Sequence, residues 1–508
     1  MTGVEKASML LLNLAAVVER ANQALLPAAS AEIATDFGVG LATLEWTMFA
    51  GALVQAMAAP FSAYLSLRHN RFQIIAGGAI FWAIATASVG ISTSYWQAAI
   101  ATCVNGVGVA IAGPAILSLV ADLSKNEARG VAFGWLYGVG QMGAILVHVL
   151  LTLTGSHTVM GLRSWRATLI CIALSSILIG VAFLTLGNDP RAYLAYSPTG
   201  ENVYPKAIDS GGAEAHVEEF IQGSKLVLKV TTFQILVIQG ILGRLPWSAT
   251  VFLKQWLILV GFDHSAASYM VSFMFIGSAC GSLAGGWVGD KAAIWSHNGR
   301  IICAQFSMGL VIPLSAVLVL GLREDTEFLW TYGSVIFFLG FFIAWILPAT
   351  SWPIFAEVVP EELRTTAFAV DLAVEKLVSA FPAPFIAVEA TRLFGHREMK
   401  AAVEEQVKSD SSTLGKDFFA CVSVSSVLSI LIMFRLCSIY PKDREQAKNL
   451  KALAAEIRAL EMVENWNDEE EDKVWDGGWE NLGEDDDDVE LTSLLNTERE
   501  RIHDQDIT

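Results

Sequence analysis

Residues 166–187 read RATLICIALSSILIGVAFLTLG, one arginine followed by 21 residues without a charge. A helix of about 20 residues crosses the roughly 30 Å hydrocarbon layer of a bilayer, so this stretch reads as one membrane span. Working outward, runs of the same kind precede it at 8–34, 42–66, 72–93, 96–120 and 130–153. Others follow at 232–259, 267–288, 300–322, 329–355, 365–388 and 417–439. Twelve spans predict an all-α membrane protein. The composition agrees, because 54% hydrophobic against 17% charged residues is too apolar for ordinary soluble packing over 508 residues.

The longest internal break, 188–230, divides the spans into two sets of six and carries Pro190, Pro198, Pro205 and the pair Gly211-Gly212. Four regions follow: a first six-helix bundle over 1–187, a cytoplasmic linker over 188–230, a second six-helix bundle over 231–440 and a tail over 441–508. In the linker Val217, Phe220, Ile221, Ser224 and Leu228 recur at helical spacing opposite Glu218, Gln222, Lys225 and Lys229. This segment reads as an interfacial helix or as the start of span seven. Arg68, His69 and Arg71, then Lys125 and Arg129, then Lys291 and Arg300 fall in loops on one side, which predicts that side, and both termini, to be cytoplasmic. The loop 389–416 mixes charges of both signs and reads as an external cap.

The formal charge of −18 is concentrated at the end of the chain, where 441–508 holds 22 acidic against 8 basic residues. Leu450, Leu453, Ile457 and Leu460 form a helical stripe there, and 465–488 reads as an acidic disordered run. No basic cluster suited to phosphates occurs, so nucleic acid is not an expected partner. Six cysteines without a C-x-x-C pair predict neither a disulfide framework nor a zinc site. The eight histidines form no metal array, and hydrolase elbows, phosphate loops and a channel filter are all missing from the pattern. The reading is therefore of a protein that is not an enzyme and uses no cofactor or metal.

Charges inside spans each cost roughly 2.5–3.5 kcal/mol on insertion scales, so they mark function or specific pairing. Span one carries Glu19 and Arg20, which point about 100° apart and need partners elsewhere; Asn22 and Gln23 lie beside Glu19. Span eleven carries Asp371 and Glu375 at i, i+4 with Lys376 adjacent; close carboxylates resist double ionisation, so one can carry an exchangeable proton, the alternative being a lysine-paired structural cluster. Arg244 follows Gly240 and Gly243 and precedes Pro246, a sequence that predicts a disrupted helix lining a cavity, where the guanidinium binds an anionic head group or else snorkels to the interface. Trp247, Trp345 and Trp352 read as an apolar cavity wall or, as aromatics in spans more often are, as packing or interfacial residues. Gly134, Gly138, Gly140 and Gly143 allow close packing of span five.

Between spans eight and nine, Gly286-Trp287-Val288-Gly289-Asp290-Lys291 resembles the G-x-x-G-D-[RK] signature of the major facilitator superfamily. The loop between spans two and three, Ala63 to Arg71, keeps Arg68 and Arg71 and loses the first glycine and the aspartate, where Leu67 now stands. Related loops six spans apart are the duplication this fold requires, two pseudo-symmetric six-helix bundles. Ser164-Trp165-Arg166 and the span-five glycines, which lack the expected proline, also resemble superfamily patterns. The stretches 13–20, 64–71 and 121–129 are similar to spinster-like transporters, most closely their plant and algal relatives. Thr102 stands where many proton-coupled members carry arginine before a glycine pair, here Asn105-Gly106-Val107-Gly108.

The resemblance implies a secondary active transporter for a small amphiphilic or lipid-like, optionally anionic, solute, moved by alternating access with proton coupling as one option. The candidate substrate and coupling residues are Glu19, Arg20, Gln23, Asn105, Arg244, Asp371 and Glu375. The candidate gating residues are Arg68, Arg71, Arg129 and Asp290. Asp290 is expected at the start of helix five beside Arg129, with Leu67 leaving the gate charged on one side only. The alternative is a membrane sensor that binds solute without moving it. In the tail, Glu490, Leu494 and Leu495 fit the acidic dileucine form read by sorting adaptors, which predicts an endosomal, lysosomal or vacuolar membrane, with the plasma membrane as runner-up.

Overall fold

A backbone in hydrocarbon must satisfy its polar groups within its own segment, so the apolar runs become helices. The computed structural model describes residues 3–66, 69–154, 158–159, 161–187, 189, 213–250, 253–322, 328–379 and 403–476. The first half contains α1 (Gly3–Ala28), α2 (Ser30–Phe37), α3 (Leu41–Ser66), α4 (Arg71–Ile91), α5 (Tyr95–Leu123), α6 (Arg129–Thr154) and α7 (Ser164–Leu186). A two-stranded hairpin, β1 (Thr158–Val159) with β2 (Leu162–Arg163), precedes α7. After α8 (Ala213–Lys229) come α9 (Thr231–Ala249), α10 (Leu253–Val260), α11 (His264–Trp295), α12 (Gly299–Ala316), α13 (Leu329–Ile343), α14 (Trp352–Val358), α15 (Arg364–Ser379) and α16 (Val403–Asp476).

Eleven helical stretches among the described residues are long and apolar enough to span a membrane. The predicted span over 365–388 corresponds to α15, which is described for 16 residues up to Ser379. Short side chains start several helices: Asn70 accepts from the Phe72 N–H at 2.8 Å, Ser94 and Gln97 form a capping box on α5, and Asp263 accepts from the Ser265 N–H at 3.1 Å. Span one is shorter than read, because α1 ends just after Pro27 and α2 begins as a separate turn. In span seven the helix runs through Gly240, Gly243 and Pro246 and ends at Ala249, so those glycines do not break it. Widened helical turns at Val317–Gly321 and Leu347–Ser351 accompany Pro313 and Pro348.

Packing relies on small residues, as it must where lipid tails are as apolar as leucine. On α11, Gly277, Gly281 and Gly285 recur every fourth residue and take the backbone of Phe337, Phe341 and Trp345 directly against them. A Cβ at Gly281 would overlap the Phe341 carbonyl, so only glycine permits this approach. Trp345 packs among Phe306, Phe341 and Phe342, Trp352 against Phe133 and Tyr137, and Trp247 against Phe275. The three tryptophans thus serve separate packing contacts, the second of the two readings offered for them.

The span-five glycines divide between two faces. Gly134 and Gly138 meet Ser282 of α11, whereas Gly140 and Gly143 meet α1 at Ala16 and Val17. The first pair joins the two halves, and α15 joins them again by packing on α3 and α5. Residues 1–447 accordingly form one compact unit. The tail boundary moves from 441 to 448, because Asp443 accepts from the Thr232 N–H at 2.8 Å and Arg444 pairs with Glu357 at 3.1 Å. In the second unit, 448–508, the described residues 448–476 are helical.

Candidate functional site

Between the halves, α1, α6, α9 and α15 bring charged side chains together. Gln23 donates to Glu19 Oε1 at 3.0 Å and accepts from Arg20 Nη1 at 3.4 Å, so one amide bridges two charges that cannot meet directly. The Arg20 guanidinium lies 5.1 Å from the centroid of the Tyr137 ring on α6. Glu19 sits beside Gly113 and feels the charge of Lys376 on α15. The expected partners outside helix one are therefore an aromatic face for Arg20 and an electrostatic neighbour for Glu19, while the bonded partner of both is Gln23.

On the opposite wall Arg244 Nε donates to Glu375 Oε2. Gly240, one turn earlier, is where the Glu375 carboxylate sits; any side chain at 240 would occupy its place. Glu375 is 2% exposed but Arg244 is 31% exposed. Arg244 is within reach of Asp371, Glu375 and, from the other half, Tyr137, so its open edge faces the space between the halves rather than lipid. Asp371 is buried and its Oδ1 has no hydrogen-bond partner among the described residues.

Asn105 does not join this cluster. It accepts from Asn22 Nδ2 at 3.0 Å and donates to Thr86 Oγ1 at 2.7 Å, in a polar knot that ties α1, α4 and α5 inside the first half. Trp82, whose carbonyl accepts from both Thr86 and Asn105, anchors the knot through Ser176 at 2.8 Å. This half-buried amide is satisfied by polar side chains of its own bundle and makes no bond to Glu19, Arg20, Arg244, Asp371 or Glu375.

A second cluster joins the halves at the end that carries the loops after spans two and eight. Asp290 Oδ1 accepts from the Gly130 N–H at 2.9 Å and Oδ2 from the Val131 N–H at 2.8 Å, at the positive start of α6. Its ion partner is Arg300 at 2.7 Å, and not Arg129 as expected. Arg129 donates instead from Nε to the Ala121 carbonyl at 3.3 Å. Arg71 grips Asp189 at 2.6 Å and Asp122 at 2.6 Å, and Asp122 also accepts from Arg364 of the other half. Leu67 and Arg68 lie outside the described residues. The expectation of charge on one side only fails: Asp122 supplies the missing carboxylate from the end of α5.

Arg364, Asp122, Arg300 and Glu357 are the residues that motif reading missed. Their signal is a repeat: Asp122 precedes Arg129 by the same seven residues that separate Glu357 from Arg364, and each carboxylate pairs with the arginine that opens the third span of its half. Arg300 reaches Glu357 at 3.2 Å. The Ser164-Trp165-Arg166 motif has a structural task, since Arg166 pairs with Asp36 at 3.1 Å, donates to the Gly90 carbonyl at 3.0 Å and stacks on Trp165. Glu490, Leu494 and Leu495 lie outside the described residues.

The family model of the Major Facilitator Superfamily matches residues 12–382. An uncharacterized MFS-type transporter, YhcA, of Bacillus subtilis is 27% identical over 168 residues, a third of this chain (33%) and 31% of that protein, so the chain spans about a third of that relative's length. A probable L-galactonate transporter of Escherichia coli is 21% identical over 63% of this chain and 72% of its own. The solved structure of a bacterial homolog to the human lysosomal transporter Spinster, inward-facing and occupied, aligns with TM-score 0.59 at 15% identity, covering 87% of this chain and 99% of that one. The proton:xylose symporter XylE aligns with TM-score 0.62 at 13% identity over 85% and 95%. The two structures share this chain's fold, and the family match covers most of its membrane domain: the chain is a multi-pass membrane protein that belongs to the Major Facilitator Superfamily.

Proposed function

We propose that this protein is a spinster-like secondary transporter that moves a small amphiphilic solute by alternating access between the two halves. The observation that supports this most is the charged cluster of Glu19, Arg20, Arg244 and Glu375, contributed by both halves and held midway along their spans, where charge is retained only for a purpose. The second cluster, through Asp290 and Asp122, is the lock on one end of that path. The carboxylates Asp371 and Glu375 carry the exchangeable proton that couples transport.

Purified protein in liposomes tests this directly. Lysolipids, sphingoid bases and sugar acids are offered as labelled solutes, and at least one is expected to accumulate under an imposed proton gradient. Asp371→Asn should cut gradient-driven accumulation by about tenfold or more while leaving solute exchange in place. Solute binding without any flux would replace the transporter by a sensor.

We also propose residence in an endosomal, lysosomal or vacuolar membrane through an adaptor that reads Glu490, Leu494 and Leu495, the acid meeting a basic patch and the leucines an apolar pocket. Leu494→Ala with Leu495→Ala should redirect a tagged protein to the plasma membrane and leave its transport unchanged. Identical distributions of wild type and variant in cells remove the sorting role.

A further inference from the structure

The cations of the central cluster hold more hydrogen-bond donors than the protein uses. Arg244 spends Nε on Glu375, and its two terminal nitrogens make no bond with any described residue. Lys376, half-buried and one residue beyond Glu375, makes neither a hydrogen bond nor an ion pair with any described residue. Arg20 spends one terminal nitrogen on Gln23 and lays its face on Tyr137. The hydroxyl of Tyr137 is also without a described partner, and the ring lies within electrostatic reach of Arg244.

These three cations repel one another: Lys376 feels both Arg244 and Arg20. The acids do not neutralise them evenly. Glu19 and Glu375 attract the Lys376 ammonium, but Glu19 is bonded to Gln23 and Glu375 to Arg244 Nε, and neither makes a hydrogen bond or ion pair with it. A half-buried ammonium with no hydrogen-bond acceptor among the described residues is costly, and a bound anion supplies one. Arginine offers a planar fork to such an anion and lysine a point charge. The apolar rings of Tyr137 and Trp352 lie next to it, 6.0 Å apart at their centroids.

We propose that Arg244, Lys376 and the Tyr137 hydroxyl form an anion subsite, with Arg20 behind it, that takes the singly charged carboxylate or phosphoryl head of the solute. This rests on the transporter reading and names the class of its substrate. Glu375 and Gly240 are positioning residues: the carboxylate fixes Nε so that the free fork points across the interface, and Gly240 makes room for it.

The test is calorimetric titration of the full chain in a neutral maltoside detergent with hexanoate, hexyl phosphate, inorganic phosphate and hexyltrimethylammonium, together with the rise in Tm each produces. The anions bind and hexyltrimethylammonium does not. Lys376→Met, which keeps the length of the side chain, weakens anion binding at least about tenfold, and Lys376→Arg restores most of it. Arg244→Lys keeps the charge and loses the fork, so it weakens phosphoryl more than carboxylate binding. Equal affinity for inorganic and hexyl phosphate assigns the subsite to free anions, and tighter hexyl phosphate assigns it to anionic amphiphiles; both keep it. Anion binding that Lys376→Met and Arg244→Lys leave unchanged, or preference for the ammonium probe, overturns the proposal. In liposomes, anions that bind through Lys376 without crossing keep the subsite and remove the transporter reading, whereas flux of a neutral or cationic solute untouched by anions does the reverse.

Discussion

Arg300→Ala lowers the stability of the membrane unit by about 3–5 kcal/mol, the effect of removing one partner from a buried ion pair. The guanidinium is almost wholly buried and holds Asp290 at 2.7 Å, Glu357 at 3.2 Å and the Ala349 carbonyl at 3.3 Å. Truncation strands two buried carboxylates at once. Glu357 keeps Arg444 and the Tyr440 hydroxyl, so the greater part of the loss falls on Asp290. Arg300→Lys recovers only part of it, because an ammonium cannot serve two carboxylates and a carbonyl in one plane. Thermal unfolding in detergent measures the difference, and adding Glu357→Gln to Arg300→Ala should return some of the lost stability. A wild-type Tm for Arg300→Ala would show that water or Arg444 replaces the guanidinium completely.

Asp290→Asn should free the locked end and slow turnover more than it weakens solute binding. The carboxylate joins the halves through the Gly130 and Val131 N–H groups while pairing with Arg300, and an amide can supply only one accepting oxygen. Losing a charged hydrogen bond costs about 1.5–3 kcal/mol, which moves a two-state equilibrium about 10- to 150-fold toward the open state at this end. Spin-label distances between the ends of α6 and α11 report the population, and liposome flux reports the turnover. The Asp122–Arg364 link remains in that variant, so Asp122→Asn added to it should open this end further. Unchanged distances and unchanged flux in Asp290→Asn would leave Asp290 as a helix cap with no gating role.

The amino-acid sequence by itself determined the helices, because apolar runs of span length have one way of satisfying their backbone in lipid. The related loops Ala63–Arg71 and Gly286–Lys291, six spans apart, likewise carried the duplication and with it the two halves. The Gly134 and Gly138 contacts were legible as small residues, but not the division of the span-five glycines between α11 and α1, since both faces of a helix read alike until a neighbour is chosen. The same limit governed the site. Glu19, Arg20, Arg244, Asp371 and Glu375 stood out singly as charges in hydrocarbon, yet the pairing of Arg244 with Glu375 joins residues 131 positions apart. Asn105, an uncharged candidate in the sequence, bonds instead in the knot with Asn22 and Thr86. Around Asp290, Arg129 was the nearer expectation and Arg300 the actual ion partner. Which cation reaches a carboxylate depends on angstrom-scale placement of whole helices, and that is fixed by the packing of α6, α11 and α15 between the halves and by no local pattern along the chain.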